Sequence, residues 1–287
     1  VIVQMQTLGF PFEKSQLYTL TAIAGLAGAT FRIPNTFFIA LAGGRNVIAV
    51  TTALLIIPAV GASIALRDIN TPFSTFAVLA ALSGFGGGNF ASSMSNISFF
   101  FPKKNQGTAL GINAGLGNIG VSIMQVLLPL VMTVGLFGTL GGDPIPVPGD
   151  PDTLIWIQNC GTVWVPVLII LSLMAWFGMN NLPMHPFGST IGAVGKILWL
   201  KLLGLLGAGI GLYMLLGWEI SMWVVLPITI IVTLALIRYL SPSTVRKNLS
   251  GQFAIFKNKH TWLMTWLYIM TFGSFIGYSA AFPKLIQ

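Results

Sequence analysis

Charge is the first thing this sequence lacks. Only 7% of its 287 residues are Asp, Glu, Lys or Arg, while 55% are hydrophobic. A water-soluble domain carries about a quarter charged residues, so this scarcity excludes a soluble globular enzyme. It points to an all-α, polytopic helical membrane protein. Cysteine is nearly absent as well. The single Cys160 excludes an internal disulfide and a multi-cysteine metal site. His185 and His260 lie far apart in predicted loops, so neither a metal cluster nor any cofactor is expected. Barrel strands, short and alternating in polarity, are missing too. There is no Ser-His-Asp set, and Gly86-Gly87-Gly88 is not followed by the Gly-Lys-Ser/Thr that cradles phosphate. The sequence therefore supports neither a hydrolase nor an ATP-driven pump.

What is present is a series of long apolar runs. They fall at about 16–42, 46–66, 73–101, 108–137, 162–180, 196–217, 222–240 and 261–282. Each approaches or exceeds the ~20 residues a helix needs to cross the bilayer core. Residues 1–8 read as the tail of a preceding helix. The stretch 138–159, rich in Gly, Pro and Asp, reads as an external loop without regular structure. The chain begins Val1-Ile2-Val3-Gln4-Met5 and stops soon after an apolar run, so an internal piece of a longer protein is expected.

The net charge of +8 fits membrane topology rather than nucleic-acid binding. If connections alternate outside and inside from Phe10, the inside set holds Arg45, Lys103, Lys104, Lys196, Lys201, Arg238, Arg246, Lys247, Lys257 and Lys259. The outside set holds Lys14, Arg67 and Lys284, with all six acids: Glu13, Asp68, Asp143, Asp150, Asp152 and Glu219. Cytoplasmic loops of membrane proteins carry the excess of Lys and Arg, which fixes this orientation.

One charge remains outside this sorting. Arg32 lies well inside 16–42, where an arginine costs at least ~2.5 kcal/mol on insertion scales and so carries function by default. The structural alternative is an arginine that snorkels to the cytoplasmic end. A buried guanidinium is a natural site for a planar oxyanion. No Asp or Glu falls inside a run, which argues against proton coupling and leaves a positive interior that favours an anion.

The most distinctive stretch is 84–120, GFGGGNFASSMSNISFFFPKKNQGTALGINAGLGNIG. Gly84, Gly88 and Ser92 recur every four residues, as do Gly111 and Gly115; small residues at that spacing line one helix face and let backbones approach. Asn89 and Asn96 share a face, and Asn113 and Asn118 are candidates for interhelical hydrogen bonding. The expectation is two closely packed membrane helices lining a polar route. Phe90 and Tyr268, read alone, are ordinary packing residues.

GGGNFASSMSNISFFFPKKNQGTALGINAGLGNIGVS closely resembles the signature of the nitrate/nitrite porters, a branch of the major facilitator superfamily. FRIPNTFFIALAGGRN resembles their second helix and following loop, and TFGSFIGYSAAF their seventh helix. The resemblance implies a fold of the major facilitator superfamily, with two six-helix halves that alternate access at their interface. It implies substrate-binding roles for Arg32, Phe90, Asn118 and Tyr268, with Gly84, Gly88, Asn89, Asn96, Gly111, Gly115, Gly117 and Gly120 as signature and packing residues. It also implies a second substrate arginine beyond Gln287. The expected domains are 1–182, the N-terminal half with its first helix truncated; 183–252, an inter-half region with two additional helices; and 253–287, the truncated start of the second half. The implied partners are nitrate and nitrite, the lipid bilayer and the missing C-terminal half. The implied location is a bacterial inner membrane. The expected activity is nitrate/nitrite exchange. Proton-coupled nitrate uptake and a non-transporting anion sensor are the alternatives.

The charge sorting generates a topology test. In a Cys160-free background, Asp150→Cys is expected to label with an impermeant thiol reagent from outside. Lys103→Cys is expected to be protected until the membrane is permeabilised. The reverse pattern would overturn the orientation.

Overall fold

The computed structural model describes residues 1–183 and 188–285; His185 lies outside the described residues. Two compact units, Val1–Ser241 and Pro242–Gln287, are described separately.

The first unit opens with α1 (Ile2–Thr7) and α2 (Lys14–Ala42). A capping box starts α2: the Glu13 side chain accepts from the third helical N–H, and Glu13 N donates to Gln16 Oε1 at 3.0 Å. Gly43 ends it at φ +79, a conformation glycine takes without steric cost. There follow α3 (Gly44–Leu54), α4 (Ile56–Ala65), α5 (Phe73–Phe100) and α6 (Lys103–Met132). Pro72 and Pro102 stand immediately before α5 and α6, where their missing N–H costs nothing. The chain then forms a 3-10 turn and a two-stranded antiparallel hairpin, β1 (Ile145–Val147) and β2 (Asp150–Ile155). Four helices complete the unit: α7 (Asn159–Thr162), α8 (Trp164–Gly178), α9 (Thr190–Leu216) and α10 (Met222–Leu240). The second unit holds α11 (Ser243–Gln252), a 3-10 turn and α12 (Lys259–Leu285).

All eight apolar runs are helical. Two are interrupted, at Leu55 between α3 and α4 and at Val163 between α7 and α8. The external loop is not structureless as expected, because the hairpin organises it. The turn is made by Pro148-Gly149, with Gly149 at φ +89, and Trp156 N donates to Met132 O at 2.8 Å, tying the hairpin's end to α6.

Among the described residues, five helical stretches are long and apolar enough to cross a membrane: Gly44–Ala65, Lys103–Met132, Asn159–Gly178, Thr190–Leu216 and Met222–Leu240. The eight expected crossings thus divide into five that meet this standard and three, α2, α5 and α12, that do not. For α2 and α5, both long enough, the reason lies in their composition, rich in Gly, Ser, Thr and Asn. They are the inner pair of the unit, and their polar atoms meet protein. Thr30, Asn35 and Ser92 are all at most 1% exposed. The outer helices show the opposite pattern. Ile112, Leu116 and Val126 on α6, Phe177 on α8 and Trp223 on α10 stand exposed, the arrangement a lipid-facing surface requires.

The α2–α5 contact is made backbone to backbone. A Cβ on Gly84 would stand 2.7 Å from Gly28 N, one on Gly87 2.9 Å from Gly28 Cα, and one on Gly88 2.8 Å from Phe31 O. The glycine face of α5 therefore packs on α2. The expected face-to-face packing of the two glycine segments is corrected. Cβ atoms on Gly111, Gly115, Gly117 and Gly120 of α6 would meet nothing within 4 Å, whereas the α5 face is occupied by α2.

A second correction concerns charge. Lys196 and Lys201, expected in a cytoplasmic connection, lie within α9. Ser189 Oγ accepts from Gly192 N at 3.1 Å and caps the helix at Thr190, well before the apolar run begins.

The close approach can be tested on one helix pair. Gly88→Ala is expected to lose about 1–3 kcal/mol of stability through overpacking against backbone. Gly25→Ala, where a Cβ meets nothing within 4 Å, should be neutral or slightly stabilising. Thermal melting in detergent reads both; equal melting temperatures would remove the contact.

Candidate anion-binding site

The glycine contact decides where the polar groups fall. Gly87 and Gly88 bring bare backbone against α2, and Phe90 stands three residues after Gly87, on the same side of α5. Arg32 reaches both from α2. Its Nε donates to Gly87 O at 3.3 Å, and its guanidinium carbon lies 5.7 Å from the centroid of the Phe90 ring. A carbonyl and a ring face, one turn apart on one helix, thus orient a half-buried guanidinium. This geometry turns the planar fork into a positioned donor rather than a mobile surface charge.

One turn further along α2, Asn35 is fully buried. Its Nδ2 donates to Asn89 Oδ1 at 3.2 Å, and Ser92 Oγ donates to Asn35 O at 3.1 Å. Asn35 Oδ1 has no hydrogen-bond partner among the described residues. Pro34, between Arg32 and Asn35, is buried within the helix and supplies no N–H. Asn96 closes the same α5 face at the other end of α2, where a Cβ on Gly44 would run into its side chain.

The remaining expected site residues are placed as follows. Asn118 is half-buried on α6, and its side chain makes no hydrogen bond with the described residues. Its neighbour Asn113 binds α5, accepting from Ser93 Oγ at 3.0 Å. Tyr268 belongs to the second unit, where its ring stacks on Phe272 at 4.9 Å and 12°. Arg32 and Phe90 are therefore brought together, with Asn89 beside them through Asn35. Asn118 is not joined to them by any such contact. A cavity of about 510 Å³ lined by Met5, Leu20, Leu55, Phe76, Cys160 and Trp164, among others, is apolar and includes neither Arg32 nor Phe90. Among the described residues no three His, Cys, Asp or Glu side chains come together as a metal site.

Asn35 and Lys201 were missed by sequence reasoning. Asn35 lies three residues from Arg32 and so shares its helix face, which is a readable signal. Lys201 had one too: it lies mid-run in Leu200-Lys201-Leu202-Leu203, flanked by leucines.

A bundle of long apolar helices around a polar inner pair defines a multi-pass helical membrane protein. No family model matches the chain. Over all 287 residues it is 37% identical to nitrate/nitrite transporter NarU of Salmonella typhimurium and to that of Escherichia coli, covering 49% of each. It is also 37% identical over 290 aligned residues to the probable nitrate/nitrite antiporter NarK2 of Thermus thermophilus, covering 52% of it. The chain is thus similar to nitrate/nitrite transporters along its whole length, and it spans about half the length of the curated relatives it matches.

The amide network yields its own test. Asn89→Ala strands the buried Asn35 Nδ2 and should cost about 1–3 kcal/mol, the usual penalty of an unsatisfied buried group. The double variant Asn35→Ala/Asn89→Ala should cost less than the sum of the two single variants. Additivity in melting measurements would show that the pair is not coupled.

Proposed function

We propose that this chain forms the N-terminal half and the start of the C-terminal half of a transporter that exchanges nitrate and nitrite across a bacterial cytoplasmic membrane. The boundaries of this reading are 1–182, 183–252 and 253–287. The relatives' printed activities support the substrates, and the name of the Thermus antiporter supports exchange. The observation that carries the reading is the half-buried Arg32 guanidinium, oriented by Gly87 O and Phe90 on the α2–α5 pair.

The chemistry follows from shape. Nitrate is a flat monoanion with three equivalent oxygens, and guanidinium donates parallel hydrogen bonds in its own plane. Desolvation in the bundle strengthens those bonds relative to water. The second half of the full-length protein completes the site, and Asn118 and Tyr268 are the further substrate-binding residues of this reading. Alternate rocking of the two halves exposes the site to either side.

Exchange is favoured over proton coupling by the placement of the acids. Glu13 caps α2; Asp68, Asp143, Asp150 and Asp152 lie in connections or the hairpin; Glu219 lies between α9 and α10. None sits inside a span where it would relay a proton. Counterflow of labelled nitrate in proteoliposomes, with and without a pH gradient, separates exchange from proton-coupled uptake, and both from an anion sensor.

Arg32→Lys in the full-length protein keeps the charge and loses the fork. Nitrate affinity and uptake should fall roughly ten- to a hundredfold, about 1.5–3 kcal/mol for a charge-assisted hydrogen bond. Phe90→Ala, which removes the ring that orients the guanidinium, should have a milder effect. Near-normal binding and uptake for Arg32→Lys, at matched membrane expression, would return Arg32 to a structural role.

A further inference from the structure

Lys201 is the second interior cation of the first unit. It lies eleven residues into α9, about 17 Å along the helix from Thr190, and is 3% exposed. Its Nζ has no hydrogen-bond partner among the described residues. Three rings surround it instead: Phe85 at 5.0 Å, Phe31 at 5.1 Å and Phe38 at 5.7 Å. Two of the rings come from α2 and one from α5, the helices that carry Arg32 and Phe90. Phe31 adjoins Arg32 in sequence, and Phe85 lies two residues before Gly87, whose carbonyl accepts from Arg32. The Phe31 and Phe85 rings are packed edge to face at 4.7 Å. The bare backbone of Gly204 brings α9 this close, since a Cβ there would stand 3.1 Å from Phe31 and Pro34.

Aromatic faces attract an ammonium, but they do not replace the hydrogen bonds it leaves in water. Within the spans no carboxylate neutralises it. In a weakly polar interior its field is poorly screened and extends past the ring layer.

We propose that Lys201 is a positioning charge for the anion site: from behind the Phe31–Phe85 layer it raises the positive potential at the Arg32–Phe90 pair without touching the anion. This rests on the reading of that pair as a nitrate and nitrite site. It gives the helices between the two halves a part in substrate binding. A field acts on charge and not on shape, so it strengthens nitrate and nitrite by the same factor. The fork of Arg32, by contrast, distinguishes the planar three-oxygen ion from the bent two-oxygen one.

The test uses the full-length protein in detergent, with Kd for nitrate and for nitrite and a melting temperature without anion. Lys201→Met keeps length and removes charge. For a charge acting through the effective dielectric of a protein, both Kd values should rise about three- to tenfold by one common factor. The melting temperature should hold or rise, because an unbonded buried charge has gone. Lys201→Gln is the companion variant and must give the same common factor if Lys201→Met does not fold. Unchanged Kd values in a folded variant would overturn the proposal. So would a fall in melting temperature with unequal changes for the two anions, the mark of a structural clamp between α9 and α2. Failure of the wild type to bind either anion would instead remove the nitrate and nitrite reading itself, and the proposal with it.

Discussion

The backbone contact between α2 and α5 is the constraint on which the rest of the first unit depends. Gly84, Gly87 and Gly88 on α5 leave no room for a Cβ against Gly28 and Phe31 of α2. Glycine weakens a helix by about 1 kcal/mol per residue in water. Inside a bilayer every backbone group is already committed to the helix, and close approach is repaid by dispersion contacts along the pair. That approach brings the Gly87 carbonyl within reach of Arg32, lets the Asn35 amide find Asn89, and seats Ser92 on the Asn35 carbonyl. Residues that would be intolerable against lipid are held by one another.

The interior that results is electrically one-sided. Lys201 is buried and Arg32 half-buried on the helices of the unit, while every acid lies in a cap, a connection or the hairpin. Buried charges of one sign raise the energy of the empty state, and a monovalent anion lowers it. Aromatic rings form part of the environment of both cations. Phe90 faces Arg32, and Phe31, Phe38 and Phe85 face Lys201.

The positions of the long helices were legible because bilayer thickness imposes an apolar length that few other structures need. The breaks at Leu55 and Val163 had a readable signal too: Pro58 and Pro166 each stand three residues on and have no N–H to offer the carbonyls of Leu54 and Thr162. The hairpin had a readable signal, a Pro-Gly turn between Ile145-Pro146-Val147 and Leu154-Ile155, that was outweighed by the surrounding Gly, Pro and Asp. Arg32 stood out as a lone charge in an apolar run. Its pairing with Phe90 could not be read from composition, because an aromatic on a membrane helix is ordinarily just packing. Lys201 was hidden by a boundary drawn at Lys196: once the cap at Ser189 is recognised, the same lysine falls in mid-span. The partner of the Gly84–Gly88 face was misplaced because spacing shows that a face is small, not which helix covers it.

Gly43 is the whole link between α2 and α3. A joint one residue long has no slack. Its corner, at φ +79, is flanked by rigid rods of 29 and 11 residues, and Asn96 is wedged against the first residue of the second rod. Any rotation of the rod that bears Arg32 is handed on as torque to its neighbour and to the far end of α5. The guanidinium thus sits on a lever geared to the rest of the unit, so that force applied at one ion is felt by the assembly of helices rather than absorbed in a loop.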